Sequence, residues 1–329
     1  MLPDNRHDAV PLEDAHETSG PDETGMMTHA FYAFNTLIVL QAFGDADRCE
    51  TAFEDARGAC RTYERRLSRT LPHSDIALLN GAGGAPVPVS HDTAELVRAA
   101  LRYCADSEGR FDVTMGAVVR LWDFHRGIVP AKSRIDEALA HVDWRMVHVW
   151  EERAHDGCGS QDWAQLDDPA AAVDLGGIAK GWIADRLADS LVAHGIASFV
   201  VNLGGNVVAH GAKPGGAPWR IGLQDPRKSG GIVGAVDVCD ASAVTSGVYE
   251  RCFQHDGTQY HHILDPNTGY PVETDVAGVT VVARRSIDAE GYSTTLLALG
   301  TERGLAFARS HPAIERAYFV DRNGNVHRS

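Results

Sequence analysis

The segment Val173-Asp174-Leu175-Gly176-Gly177-Ile178-Ala179-Lys180-Gly181 constrains the fold of this chain more than any other. An apolar run stops at two glycines and passes, with a lysine, into a helical pattern over 182–194. Glycine lets a backbone come close to a neighbour or a ligand, and the free amides at a helix start favour anions. A lysine there adds a point charge suited to phosphate. The spacing is neither G-x-G-x-x-G nor G-x-x-x-x-G-K-[ST], which excludes a Rossmann or Walker site. Read alone, the segment fits a tight turn with a surface lysine equally well.

The rest of the chain frames this turn. An apolar, β-rich run at 31–43 reads as a strand, and 45–70 as a helix with Ala52, Phe53, Ala56, Ala59, Cys60 and Tyr63 on one side. A short helix at 74–80 is capped by Ser74, and a longer one at 92–107 by Asp92 or Thr93. Residues 112–124 read as helical and 151–170 as a loop or hairpin tip. After the 182–194 helix comes a strand at 197–202 that turns at Gly204-Gly205-Asn206. Further strands are expected at 219–223, 233–238, 258–264, 277–283 and 316–320. Helices are expected at 289–299, ended by Gly300, and at 302–310. Strands and helices mix without a βαβ beat, so the predicted class is α+β.

Charge narrows the function. The 329-residue chain carries a net charge of -15, which argues against gripping nucleic acid. Six cysteines lie far apart without a C-x-x-C pair, so neither a zinc site nor a disulfide framework is indicated. Residues 1–29 are polar and acidic and read as a disordered tail ahead of one domain at 30–329. No signal-peptide pattern and no apolar run of about 20 residues is seen, so a cytoplasmic protein without a membrane span is expected.

Three more segments carry chemistry. Asn202 to Asn206, N-L-G-G-N, is a second glycine turn able to frame a nucleotide. Ser246 to Arg251, S-G-V-Y-E-R, precedes Y-H-H-I-L-D-P-N-T-G-Y-P at 260–271, where Asp265 opens strong turn chemistry. His261 and His262 are adjacent in a strand, so at most one faces a site, where it could deprotonate a hydroxyl. In A-E-G-Y-S-T-T-L-L-A-L-G at 289–300, Glu290 and Thr294 are four apart on one helix face. A carboxylate and a hydroxyl are hard ligands, suited to Mg²⁺ that is also held by substrate phosphates.

Together and in this order, these motifs resemble the ApbE family, the FAD:protein FMN transferases, from about Phe34 to Gly300. S-D-I-A-L-L-N at 74–80 and G-R-F-D-V-T-M-G-A-V-V-R-L-W-D-F at 109–124 are part of the same match. The resemblance implies an α+β fold with a tunnelling-fold (T-fold) related core and a cleft for FAD. FAD is then substrate, with Mg²⁺ (Mn²⁺ as alternative) as the cofactor. It assigns the metal to Glu290, Thr294 and a backbone carbonyl, that of Ala179 or Gly177. It places Asp112, Thr114, Asp174, Gly177, Lys180, Asn202, Gly204, Gly205, Ser246 and Gly247 around FAD. His262 becomes the base that activates a Thr or Ser hydroxyl of an acceptor flavoprotein.

Three positions depart from the family pattern. Glu290 stands where Asp is usual, Thr70 follows L-S-R where many members carry an aromatic residue, and Phe34-Asn35-Thr36 replaces M-G-T. An FAD pyrophosphatase and a non-catalytic FAD-binding protein remain as alternatives.

Overall fold

The computed structural model describes residues 15–153, 159–228 and 230–329. In chain order the elements begin with β1 (His16–Ser19), β2 (Met26–Ala33), β3 (Thr36–Phe43), α1 (Ala46–Leu67), α2 (Asp75–Gly81) and β4 (Val87–Val89). Next come α3 (His91–Asp106), α4 (Gly116–Val119), α5 (Lys132–Leu139), β5 (Val147–Arg153), β6 (Ser160–Leu166) and α6 (Ala179–Ala193). The second half adds β7 (Ser198–Leu203), β8 (Asn206–His210), β9 (Trp219–Gln224), β10 (Ile232–Val238), β11 (Ala241–Gly247), β12 (Cys252–His255) and β13 (Thr258–His261). It closes with β14 (Val276–Ala283), α7 (Ser286–Ser310), β15 (Arg316–Asp321) and β16 (Val326–Arg328).

A nine-stranded antiparallel sheet, ordered β1-β2-β3-β7-β8-β11-β14-β15-β16, forms the frame. Its order follows the chain, so each strand pairs with the sheet strand that precedes it, and the α+β expectation holds. One face is covered by α1, α6 and α7, which bury Phe53, Trp182, Ile287 and Leu296 against Ile38, Leu40, Val201 and Val279. The β9–β10 ribbon covers the other face through Trp219, Leu223, Val236 and Val238. Every residue of β14 is buried, as its unbroken apolar run V-A-G-V-T-V-V-A requires.

Several boundaries differ from the sequence expectation. The run at 31–43 is two strands, because Phe34 and Asn35 both take positive φ (53° and 57°) and close a two-residue hairpin. Asn tolerates that conformation nearly as well as the glycine usual in M-G-T. The tail expectation fails in part: 16–19 and 26–29 are sheet strands, held where Thr18 Oγ1 meets the buried His29 Nδ1 at 2.7 Å. Residues 1–14 lie outside the described residues. In α1, Cys49, Ala52, Phe53, Ala56 and Cys60 form the buried stripe, with Asp45 as its cap.

The α3 cap is Ser90 rather than Asp92 or Thr93, since Ser90 Oγ accepts from Thr93 N–H and itself donates to Asp75. At 112–124 only Gly116–Val119 is helical. Asp112 there captures the amide and hydroxyl of Thr114, and Met115 bridges to Ala172. The expected loop at 151–170 contains the ends of the β5–β6 hairpin, with Asp162, Ala164 and Leu166 alternately buried. Residues 154–158 lie outside the described residues. Gly300 interrupts α7 at φ 76°, as its C-terminal glycine role predicts. A Cβ there would stand 2.7 Å from Asp275 Oδ1, which accepts the Thr301 amide at 3.1 Å.

Candidate active site

The glycine-rich segment enters α6 so that α6 and α7 touch backbone to backbone. A Cβ on Gly181 would stand 2.6 Å from the Ser286 carbonyl oxygen and 3.0 Å from Glu290 Cβ. Gly177 serves a similar purpose, for its missing side chain leaves room for the Phe111 ring. Asp174 fixes the turn: its carboxylate accepts the Gly176 amide at 2.8 Å and pairs with Arg69 Nε at 3.0 Å. That pairing brings the Leu67-Ser68-Arg69-Thr70 run, with Thr70 exposed, to the glycine turn.

The close approach delivers Lys180 to Glu290. Lys180 Nζ donates to Glu290 Oε1 at 2.6 Å, and the Gly181 amide donates to Glu290 Oε2. Glu290 is 4% exposed, so its charge is tolerated only with these partners. Thr294 lies one turn on, half-buried, and Ala179 opens α6. Replacing Gly181 by alanine must separate the two helices. The expected cost is about 1–3 kcal/mol, typical of overpacking, read as a lower denaturant midpoint with an unchanged slope. An unchanged midpoint would mean that the close contact is not needed.

The strands bring in the remaining groups. At the β7–β8 tip Gly204 and Gly205 have φ of 62° and 94°, and Asn202 Oδ1 accepts the Gly205 amide at 3.0 Å. A Cβ on Gly204 would stand 2.2 Å from Thr36 Oγ1, so the Phe34-Asn35-Thr36 turn packs on the glycine turn. The Gly205 carbonyl accepts from Thr245 N–H at 3.4 Å, beside Ser246. Ser246 Oγ meets Ser293 Oγ at 2.8 Å, and Ser293 donates to the Glu290 carbonyl at 2.9 Å. Gly247 is buried because the Tyr249 ring fills the place of its Cβ.

His262 follows β13. Its Nδ1–H donates to the Glu250 carbonyl at 2.9 Å. A carbonyl can only accept, so in the neutral ring Nε2 keeps the lone pair. Burial, with Arg251, His261 and Lys180 adding to it, pushes the His262 pKa down to about 4. The charge of Lys180 thus bears on His262, and it also lowers the pKa of Glu250, which burial raises. His261 points into the fold, with Nε2 at 3.3 Å from the Val272 carbonyl. The turn behind them is rigid: Asp265 Oδ1 accepts from the Asn267 amide at 2.8 Å, and Trp122 Nε1 donates to the Gly269 carbonyl at 3.1 Å.

Asp112 and Thr114, both expected near FAD, meet each other. Thr114 is fully buried and its hydroxyl donates to Asp112 at 2.6 Å; the other Asp112 oxygen accepts the Trp144 amide at 3.1 Å. Together the two residues close a turn. That turn supports the glycine segment from behind, through Asp174 N–H to the Val113 carbonyl at 2.8 Å. The sequence by itself singles out neither Arg69 nor the Glu250 carbonyl. Glu250 lay inside a quoted motif, whereas nothing local marks Arg69 as the partner of Asp174.

The model of the ApbE family matches residues 34–319. The chain belongs to the ApbE family. An FAD:protein FMN transferase of Treponema pallidum is 38% identical over 305 residues, 88% of this chain and 83% of the relative. One of Klebsiella pneumoniae is 34% identical over 81% of each chain. The solved ApbE protein of Thermotoga maritima superposes with a TM-score of 0.81 at 27% identity, covering 92% of this chain and 96% of its own. The apo flavinyl transferase ApbE of Pseudomonas stutzeri gives 0.76 at 29% identity, covering 94% and 96%.

Among the described residues, no cluster of three or more His, Cys, Asp and Glu forms a metal cage. The oxygens that the resemblance assigns to a cation are those of the Glu290 carboxylate, which here accepts from Lys180 and the Gly181 amide, the half-buried Thr294 hydroxyl and the Ala179 carbonyl. Three hard oxygens fit an ion that takes the rest of its shell from phosphate and water.

Proposed function

We propose that this chain transfers FMN from FAD to a Thr or Ser hydroxyl of an acceptor flavoprotein and releases AMP. The observation that carries this reading is His262, held by Glu250 with Nε2 free, in the field of the lysine that pairs with Glu290. A protein that only stored FAD has no use for a neutral, oriented base.

The residues divide the work as follows. Nε2 of His262 takes the proton of the acceptor hydroxyl as its oxygen forms a bond to the FMN phosphorus. The bond from that phosphorus to the bridging oxygen breaks, and AMP leaves with the electron pair. Lys180 and the amides at the start of α6 face the charge of the pyrophosphate. Glu290, Thr294 and the Ala179 carbonyl would hold Mg²⁺, which, when bound, neutralises the pyrophosphate oxygens. Lys180, which pairs with Glu290 in this structure, would also bear on the pyrophosphate. Asp174, Gly177, Asn202, Gly204, Gly205, Ser246 and Gly247 shape the cleft.

The direct test is incubation with FAD and Mg²⁺, with and without an acceptor flavoprotein. Covalent flavin on the acceptor with matching AMP supports the transferase. Free FMN and AMP at equal rates in both samples would replace it with a pyrophosphatase, and no AMP at all with a binding protein.

The His262 pKa adds a pH prediction. Protonation removes the base, so activity falls on the acid side only of this titration. Because kcat/KM reports free enzyme, it should stay flat down to about pH 5. A kcat/KM limb at about 6.5, the unperturbed histidine value, would contradict the burial of His262.

A further inference from the structure

The first turn of α7 is capped from outside its own chain segment. Arg285, which precedes it, provides no side-chain cap. The carboxylate of Asp185 on α6 does so instead: Oδ1 accepts the Ser286 amide at 2.6 Å and Oδ2 the Ile287 amide at 3.1 Å. These are two of the donors that a helix start leaves open. Ser286 is tied a second time, since its hydroxyl donates to Asn206 Oδ1 at 2.6 Å, and Ser242 Oγ lies 2.9 Å from it. Asn206 and Ser242 stand on neighbouring strands of the main sheet.

Two ties therefore join α6 to α7 at different heights. Lys180 and Gly181 meet Glu290, while Asp185, one turn further along α6, meets Ser286 and Ile287, one turn back along α7. A single tie lets one helix pivot about the other; two ties fix both rotation and slide. Glu290 is buried, so the register of α7 sets where its carboxylate oxygens stand.

We propose that Asp185 is a positioning residue for the cation-binding carboxylate of Glu290. The proposal rests on the reading of Glu290 and Thr294 as cation ligands. Asp185 touches neither substrate nor cation; it acts through the first turn of α7. Groups that orient a metal ligand from behind typically carry 10–100-fold in metal affinity when removed.

The experiment uses the full chain with Mn²⁺ as probe. Binding is followed by loss of the free-ion EPR signal in the presence of FAD and without acceptor, and FAD affinity is measured separately without metal. Asp185→Ala should weaken Mn²⁺ binding about 10–100-fold while metal-free FAD affinity stays within about twofold. Raising Mn²⁺ should restore most of the rate of AMP release. Asp185→Asn keeps one oxygen acceptor and should show a smaller weakening; it decides the question if Asp185→Ala does not fold. Unchanged Mn²⁺ affinity in a folded variant overturns the proposal, as does an equal loss of FAD and Mn²⁺ binding, which indicates only a loosened fold. Glu290→Gln is the control. If it too leaves Mn²⁺ binding unchanged, the ligand reading falls and the proposal with it. If it weakens binding while the Asp185 variants do not, only the role of Asp185 is lost.

Discussion

Replacement of His262 by alanine is expected to lower flavin transfer by about 10²–10⁴-fold, the usual worth of a general base. FAD should still bind, because the groups proposed to face its pyrophosphate lie on α6 and α7 and His262 follows β13. The fold should survive as well. The side chain is half-buried, and its removal frees one backbone carbonyl, that of Glu250. Single-turnover transfer to an acceptor at saturating FAD gives the rate, and quenching of flavin fluorescence gives the affinity. Transfer at the unaltered rate would remove His262 from the reaction. A large loss of FAD affinity would make it a binding group instead.

Substitution of Glu290 by alanine should strike stability and activity together. The carboxylate is buried and accepts from both Lys180 and the Gly181 amide. Removing one member of a buried pair leaves the other charge uncompensated, at about 3–5 kcal/mol. Lys180 is less buried than its partner, with 29% of its side chain exposed, so water recovers part of that cost and the lower end is expected. Catalysis should drop by at least the factor expected for His262, since the proposed cation would lose its carboxylate. Chemical denaturation and AMP release measured on the same preparation test both parts. Wild-type stability would show that the pair is screened by solvent. Wild-type activity in a folded variant would show that no essential cation sits on Glu290.

The departures from the family pattern acquire physical meaning in the structure. Asn35 takes the left-handed conformation that glycine otherwise supplies, so the hairpin tip keeps its shape and Thr36 keeps its contact with Gly204. Phe34 holds a positive φ that a bulky residue rarely adopts, and its amide is captured by Glu64 Oε1 at 2.9 Å. Glu290 uses its added length to reach both the ammonium of Lys180 and the amide of Gly181. Thr70 is exposed beside a loop anchored by Arg69 and Asp174, with no ring of its own to offer.

The sequence by itself determined the local elements whose signals are local. Periodicity marked the buried stripe of α1, Ser74 marked the start of α2, and Gly300 marked the break in α7. The order of motifs determined the family and, with it, the candidate residues His262, Lys180, Glu290 and Thr294. Tertiary structure alone decided what those residues do to one another. Lys180 and Glu290 are 110 positions apart, and only the space left by Gly181 lets their helices meet. The tautomer of His262 depends on a carbonyl 12 residues away across a hairpin. Asp112 and Thr114, which the resemblance places near FAD, are joined to each other in the folded chain because a buried carboxylate takes its nearest donors. Helical and turn propensities act over a few residues, whereas partners of buried charges are chosen by packing across the whole chain. For that reason the candidate residues could be named from the sequence, while their geometry could be read only from the folded protein.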